Sequence, residues 1–392
     1  MHAKAGTETG VELVRQALRE NERLGHLGDR YVRTFGNMSL SPDEKQRTMI
    51  DDACMRTNSV VALIEEATRR SAGPFAPRDA TAEMFVNRTD EDVQQLRSLA
   101  RLMCLHVNSA LVRGDHDEVV RTLALSYRLA EQLAGEKFLL PQLVRIAILG
   151  VSNAYTHTVL PRLEMNEKRF KVLDDLLSSI ERDLKLSPAL INERAKVATL
   201  FDTPSHLKED MNSAGNIPMP AFRTLRQSAQ ALLQQQWAAL ICSPIGLPVR
   251  RRAAARCLSA PDDVFALADS PPPWPDEDAK RFAAWKSALN LSQLLFVAPD
   301  YGSIKLAADA GLRIRRRLVL TRLALRLKWY AHVHGQLPER LEEICDAAMP
   351  EIPLRWFEGR PLKYSKVSRA FRIEEFQEHP GAESTRIAKG GS

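Results

Sequence analysis

The chain has 392 residues, of which 44% are hydrophobic, 27% are charged and only 6% are aromatic. This length exceeds one ordinary hydrophobic core, and this composition excludes a wholly disordered chain and favours helices over sheets. The formal net charge of +6 permits contact with nucleic acid or anionic lipid but does not require either.

The cysteines and the apolar runs exclude several further classes of protein. The cysteines are odd in number and widely spaced, without a Cys-x-x-Cys pair, which argues against a disulfide framework and a structural zinc site. No apolar run approaches the ~20 residues that span a bilayer, and the first residues lack the apolar segment of a signal peptide. We therefore expect a soluble, cytoplasmic protein, or a membrane-anchored one if a further N-terminal segment precedes this sequence.

Helical signals dominate the first half of the chain. Apolar residues recur at helical spacing over residues 11–35. Ser41 and Pro42 then suit an N-cap and a first helical position. After a Gly- and Pro-rich break, the next helix is predicted to begin at Thr89. Short turns separate the helices that follow, which predicts antiparallel hairpins in a solenoid-like array of the tetratricopeptide kind.

The second half is predicted to change from helices to a small mixed module. Its last long helix covers residues 302–334, and a short helix and two or three short strands are expected after it. The predicted fold class is therefore mainly α, with an array of antiparallel helical hairpins and a small α+β C-terminal module. The predicted segments are N-terminal helices, a helical-hairpin array, a second helical region, the α+β module and a disordered tail: 1–75, 85–202, 221–334, 335–378 and 379–392.

The paired histidines near the end of the last long helix do not predict a metal site. His332 and His334 are two positions apart, so on a helix their side chains point ~200° apart and do not form an i,i+4 ligand pair. Gly335 instead suits a helix C-cap. We expect no metal, no cofactor and no catalytic residue here. We assign surface or capping roles to His106, His157, Asp115 and Asp117, because their spacing does not require an acid–base site. Such a site is the alternative.

Arg145 stands out because it interrupts an apolar helix, LLPQLVRIAILGV, where a buried charge needs a partner. Glu136 and Glu193 are the carboxylates that we predict for it. Such an ion pair would fix the register of two packed helices. A ligand-binding or catalytic site near Arg145 is the alternative.

Two basic clusters are the remaining candidates for a binding surface, and they comprise Arg250, Arg251, Arg252, Arg315, Arg322 and Arg326. The last three arginines fall on one narrow stripe of the predicted final helix. The stripe suits either contact with nucleic acid or an anionic membrane, or a solvated or ion-paired helix face.

The C-terminal sequence resembles a known pattern. LRLKWYAHVHGQLPERLEEI followed by MPEIPLRWFEGRPLKYSK resembles the C-terminal module of a large group of uncharacterised planctomycete-type bacterial proteins, and is similar to the globular end of type II secretion pseudopilins. The matching residues are Tyr330, Gly335, Pro338, Leu341, Pro353, Phe357, Gly359, Pro361, Leu362 and Tyr364. VRGDHDEVVRTLALSYRLAEQLAGEKF and INERAKVATLFD also resemble segments of that group.

The sequence departs from the pattern at Arg355 and Trp356, where the group carries Asp-Pro, and the calcium-binding acids of pseudopilins have no counterpart. The resemblance therefore implies an architecture but no metal and no activity. We expect a non-enzymatic scaffold or protein–protein interaction protein with a protein partner. The alternatives are a nucleic-acid or anionic-membrane binder and an enzyme with a site near Arg145.

Overall fold

The structure is a computed structural model, and the residues that it describes are 9–30, 42–70, 75, 82–202, 266–267, 269–270, 277–278, 280–281, 284, 301–347, 349–353, 357, 359–367, 370–375 and 384–387. Within these residues the chain is mainly helical, with a small antiparallel sheet near the C-terminus. The predicted mainly-α class is thereby confirmed. None of the helices in this part of the chain is both long and apolar enough to cross a membrane.

Eight long helices account for most of the described residues. They are α1 (Gly10–Arg23), α2 (Glu44–Arg69), α3 (Ala82–Val112), α4 (His116–Glu131), α5 (Leu139–Val159), α6 (Glu167–Asp183), α7 (Ser187–Asp202) and α8 (Tyr301–His334).

Side-chain caps fix where several helices begin. Thr9 accepts a hydrogen bond from the N–H of Glu12, whose carboxylate accepts the N–H of Thr9 at 2.7 Å. This reciprocal pair satisfies two of the N–H groups that a helix start leaves unpaired. Asp43 and Gln46 repeat it at α2. The cap of α2 is therefore Asp43 and not the predicted Ser41, because the side chain of Asp43 accepts the N–H of Gln46 in the first turn of the helix.

The predicted start of α3 was also wrong, since the helix begins at Ala82 and Thr89 lies inside it. A threonine in a helix interior costs only a few tenths of a kcal/mol, too little to end a helix that packing stabilises. By contrast, Gly114 ends the run from α3 as predicted. Its φ of +73° is the left-handed conformation that glycine adopts without a steric cost.

The helices pack mainly against their neighbours in sequence. α1 contacts α2 and α3, α2 contacts α3 and α4, α3 contacts α4 and α5, and α4 contacts α5 and α6. α8, from the far end of the chain, packs against α5 and α6. The buried apolar side chains from α1 to the sheet form one cluster. The described parts of the first four predicted segments therefore share a single core.

The C-terminal module follows α8. The helix expected after Gly335 is only a single 3₁₀ turn, Leu341–Ile344, and the strands are β1 (Leu362–Val367), β2 (Ala370–Glu375) and β3 (Ser384–Ile387). They form an antiparallel sheet in the order β1-β2-β3.

Four residues of the segment predicted to be a disordered tail, Ser384–Ile387, form β3. β3 pairs with β2 in the register Phe371 with Ile387 and Ile373 with Thr385. The second edge of β2 would otherwise leave its backbone N–H and C=O groups unpaired, and the STRI sequence includes two β-branched residues that suit a strand.

Candidate functional site

A group of buried arginines lies in the interior of the molecule, along one face of α8. Arg322 donates from Nη1 to Oε2 of Glu181 at 2.7 Å and from Nε to Oδ1 of Asp174 at 3.3 Å. Both carboxylates belong to α6. All three side chains are at least nine-tenths buried. The pairs therefore join α8 to α6 in a region from which water is largely excluded.

Arg326 lies one turn further along α8 and shares the same carboxylate. Its Nε and Nη2 donate to the two oxygens of Asp174 at 3.1 and 2.5 Å, a bidentate geometry. Its Nη1 donates to Oδ1 of Asp346 at 2.8 Å, and the guanidinium lies 5.9 Å from the ring centroid of Phe170. Burial alone would lower the pKa of Arg326, but the bonds from both aspartates outweigh it, so the pKa is raised. Arg326 thus ties α6, α8 and the C-terminal module together.

Arg315 lies on the same face of α8, near the middle of the helix. It donates to the carbonyl of Leu184 and, at 3.1 Å, to Oδ1 of Asp269. The Asp269 carboxylate also accepts the backbone N–H groups of Leu186 and Ser187, at the start of α7, at 2.5 and 3.1 Å. Burial lowers the pKa of Arg315, and the charge of Asp269 opposes this shift. The arrangement fixes the link between α6 and α7 against α8.

These positions correct one expectation about α8. Arg315, Arg322 and Arg326 are only 1%, 5% and 3% exposed, so their guanidinium groups face carboxylates and do not present a surface to phosphate. The alternative, an ion-paired helix face, is the one that the geometry fits. The remaining candidates of the basic clusters, Arg250, Arg251 and Arg252, lie outside the described residues.

Arg145 is fully buried on α5, and its carboxylate partner is Glu131 of α4. Nη2 and Nε of Arg145 lie 2.8 and 3.2 Å from Oε1 of Glu131. Glu136 instead accepts the backbone N–H of Phe75 at 2.5 Å, and burial raises its pKa. Glu193 is buried on α7. The pairing of Arg145 with Glu136 or Glu193 stays a prediction, while an interhelical ion pair of the expected kind is present.

The paired histidines stack on aromatic neighbours. The ring centroid of His332 lies 5.4 Å from that of Trp329, and the ring of His334 lies 4.1 Å from Tyr330. Gly335 follows with a φ of +73°, as expected for a residue that ends a helix. A search of the described residues for three or more metal-ligating side chains in one place finds none.

Two other histidines are at helix interfaces, which corrects their assignment to the surface. His106 of α3 is 7% exposed, and its Nε2 lies 2.8 Å from Oγ1 of Thr57 on α2. Nε2 of His157 on α5 lies 2.8 Å from Oγ1 of Thr321 on α8. His157 is partly exposed as a residue, but its Nδ1 has no contact with solvent. Burial lowers the pKa of each to about 4, so both rings are neutral at pH 7.

The other two residues of that set have the predicted roles. Asp115 accepts the N–H of Glu118 and caps α4. Asp117 accepts a hydrogen bond from Arg169 of α6 at 2.7 Å on the surface. Neither of these contacts joins the aspartate to a nucleophilic side chain.

Sequence reasoning missed the hydrogen-bonded pairs between α4 and α5. Ser126 and Ser152 are joined at 2.6 Å, and Tyr127 donates to Oδ1 of Asn153 at 2.8 Å. A polar residue inside an apolar run is the signal that identified Arg145, and the same signal is present at Ser152 and Asn153. Their partners depend on how α4 and α5 are rotated, which a linear pattern does not contain.

The described residues also form an open groove. It lies between α1 and α2 and has a volume of about 640 Å³. Charged residues of α1 and small or apolar residues of α2 form its walls: Arg19, Glu20, Arg23, Ser59, Ala62 and Leu63.

Comparisons with known proteins do not place this chain in a family. No family model, curated protein or solved structure matches it. Its function has to be inferred from the side-chain contacts and the groove described above.

Proposed function

We propose that the chain is a non-enzymatic helical scaffold that binds a protein partner. In this proposal α1 to α7 form a solenoid-like, tetratricopeptide-like array of antiparallel hairpins. The order of the contacts supports it, because each helix from α1 to α4 packs against the next two helices in the chain. Such nearest-neighbour packing is typical of solenoid proteins, which use extended surfaces to bind partners.

The observation that carries the proposal is the open groove between α1 and α2. Several buried arginines of the described residues are engaged with carboxylates across helix interfaces, as Arg326 is with Asp174 and Arg145 with Glu131. A catalytic site needs a nucleophile or base next to a space that admits substrate. The groove offers space, but its glutamate, Glu20, is already paired with Arg23, an arrangement that suits binding better than proton transfer.

We further propose that the chain belongs with the planctomycete-type proteins that its C-terminal sequence resembles, with a pseudopilin-like module. The roles of the matching residues support this. Tyr330 donates to Glu343 at 2.9 Å, and Tyr364 donates to the carbonyl of Pro338 at 2.9 Å. Phe357 is fully buried, and Gly359 has a φ of +70°. These residues hold the module together, which gives a physical reason for the pattern.

A cytoplasmic location is part of the same proposal. The cysteines that the structure describes, Cys54, Cys104 and Cys345, are free thiols. Burial raises the pKa of the Cys54 and Cys104 thiols to about 12, so both are unreactive. Free structural thiols suit a reducing compartment.

Photo-crosslinking tests the proposal. A photoreactive amino acid is introduced into the full chain at Ser59 in the groove and, separately, at exposed Asp175 on α6. Each variant is irradiated in an extract of the organism that encodes the chain. We expect a discrete protein adduct at Ser59, identified by mass spectrometry and reproduced with the purified partner. An adduct at Asp175 alone would support a scaffold with another binding face. The lack of an adduct at both positions would contradict the proposal.

A further inference from the structure

The groove between α1 and α2 is lined mainly by exposed or partly exposed side chains of these two helices. Val14, Ala17 and Leu18 of α1 face the core, whereas Arg19 and Arg23 are exposed on the opposite side. Gln16, Arg19, Glu20 and Arg23 line the groove at i, i+3, i+4 and i+7, the spacing of one helix face. This face extends over about two turns, or ~10 Å.

The α2 side of the groove is small and apolar. Ser59, Ala62 and Leu63 line it, and Met55 lies one turn before Ser59 on the same stripe. Met55 is 68% exposed. A methionine side chain adapts its shape to a partner, and short residues beside it allow a partner backbone to approach closely. The α2 wall is therefore suited to the apolar face of another element.

The arrangement of the other helices indicates which element fits. α5 packs against both α3 and α4, so a third helix covers the space along that pair. α3 likewise packs against both α1 and α2, and the residues that line the groove come from α1 and α2. Helices pack with axes 8–10 Å apart through ridges and grooves of this kind. Within this molecule, the element that packs against such a pair of helices is therefore a third helix.

The charge along the groove indicates the polar flank of that helix. Glu20 is paired with Arg23, with 2.6 Å between Oε1 and Nη2. For Arg19 the structure gives no ion-pair partner among the described residues. Arg56 on α2 lies 3.9 Å from Asp52, at the limit of an ion pair. Arg19 is therefore the rim charge without an ion-pair partner among the described residues, and an acidic flank would complement it.

From these contacts we infer that the groove binds an amphipathic helix of a partner protein. The apolar face of that helix packs on Met55, Ala62 and Leu63, and its acidic flank lies along Arg19 and Arg23. This is the helix-in-groove mode of recognition. The inference rests on the proposed scaffold function and specifies the partner of that same site.

Defined peptides test the inference with the full chain. The probe is a fluorescent synthetic amphipathic helix with leucines at i, i+4, i+7 and i+11 and glutamates on its flanks. Matched peptides carry lysine in place of glutamate, or alanine in place of leucine. Fluorescence anisotropy measures affinity, and hydrogen exchange locates the contact. We expect only the acidic leucine peptide to bind and to protect α1 and α2.

Variants of exposed groove residues separate specific from non-specific binding. Arg19→Glu should weaken binding of the acidic peptide by roughly fivefold. Ala62→Gln places a longer side chain in the groove and should weaken it by about tenfold or more. Ala62→Ser, which keeps the groove open, and Arg128→Glu, at an exposed arginine of α4, are the matched controls and should bind as the unmodified chain does.

Three results would overturn the inference. One is the failure of the acidic peptide to bind at up to ~1 mM. Another is binding that Arg19→Glu and Ala62→Gln leave unchanged. The third is a different occupant, detected as self-association or as binding to anionic vesicles that Ala62→Gln abolishes. Crosslinking at Asp175 alone would leave the scaffold proposal standing while this inference fails, so the two failures are distinguishable.

Discussion

Asp174 of α6 and Arg326 of α8 are joined by two hydrogen bonds of 3.1 and 2.5 Å in the interior of the protein, although 152 positions separate them in sequence. The same carboxylate receives Nε of Arg322. One acidic side chain therefore compensates parts of two buried guanidinium groups. Loss of one partner from such a group leaves buried charge without compensation, which is far more costly than loss of a surface pair.

We predict that Asp174→Asn lowers the free energy of unfolding by on the order of 3 kcal/mol, because the neutral amide leaves buried positive charge uncompensated. Urea denaturation at pH 7 measures the change. The matched control is Lys171→Ala on the same helix, which removes an exposed pair with Glu167 and should change the free energy of unfolding far less, because solvent screens that pair. Equal effects of the two substitutions would show that the buried network does not stabilise the fold as argued.

Two buried or interfacial histidines predict a dependence of stability on pH. The pKa of His106 and that of His157 fall from 6.5 to about 4 on folding. The unfolded chain therefore binds protons more tightly than the folded chain. The stability that depends on these neutral histidines is complete above pH 6.5 and is lost as the pH falls from 6.5 towards 4. Each histidine should account for on the order of 3 kcal/mol over that range.

Denaturation curves at pH 7 and pH 4.5 check this prediction. His106→Gln and His157→Gln keep a polar side chain beside Thr57 and Thr321 but cannot titrate, so each should reduce the loss of stability at pH 4.5. His332→Gln, at an exposed histidine, is the control and should leave the loss unchanged. The prediction is wrong if His106→Gln and His157→Gln lose as much stability between pH 7 and pH 4.5 as the unmodified chain does.

Two glycines predict substitutions of opposite sign. A Cβ at Gly28 would lie 2.7 Å from the backbone nitrogen of Leu102 on α3, a contact that requires the backbone to move. Gly28→Ala should therefore destabilise the protein by about 1–3 kcal/mol. A Cβ at Gly150, inside α5, meets nothing within 4 Å. Gly150→Ala should stabilise by about 0.5–1 kcal/mol. Thermal unfolding of both variants measures this, and the same sign for both would refute the argument.

The contact between Asp346 and Arg326 predicts how the C-terminal module is held. Asp346 also accepts the N–H of Met349 at 2.9 Å, and its side chain is 53% exposed. Asp346→Ala should cost only about 1 kcal/mol globally but should speed hydrogen exchange in the 3₁₀ turn and β1. Glu351→Ala, at an exposed acid of the same module, should not. Unchanged exchange in Asp346→Ala would mean that the module is held without this ion pair.

The sequence contained enough to predict the helices but not their rotation. Periodicity and caps identified most of them, and Arg145 was recognised because a charge interrupts an apolar run. Its partner Glu131 was not, since the choice among nearby carboxylates depends on how α4 and α5 turn relative to each other. Likewise the spacing of Arg322 and Arg326 predicts a stripe. Only Asp174 and Glu181, on a helix far away in sequence, decide that the stripe faces inward.

The groove was beyond sequence reasoning for a related reason. Exposed residues at i, i+3 and i+4 on α1 are ordinary for a surface helix, and nothing in their order indicates that Ala62 and Leu63 of α2 lie beside them. The strand in the predicted tail was missed for a different reason. Ser384–Ile387 is too short to predict a strand from its own residues, and its pairing depends on the free edge of β2.

Trp329 lies between two rings, with its centroid 5.2 Å from that of Phe170 on α6 and 5.4 Å from that of His332 on its own helix. The other four tryptophans, Trp237, Trp274, Trp285 and Trp356, lie outside the described residues. Replacing those four with phenylalanine would leave a single fluorophore at the junction of α6 and α8. Its emission would then report, in real time and without an added dye, whether these two helices remain in contact.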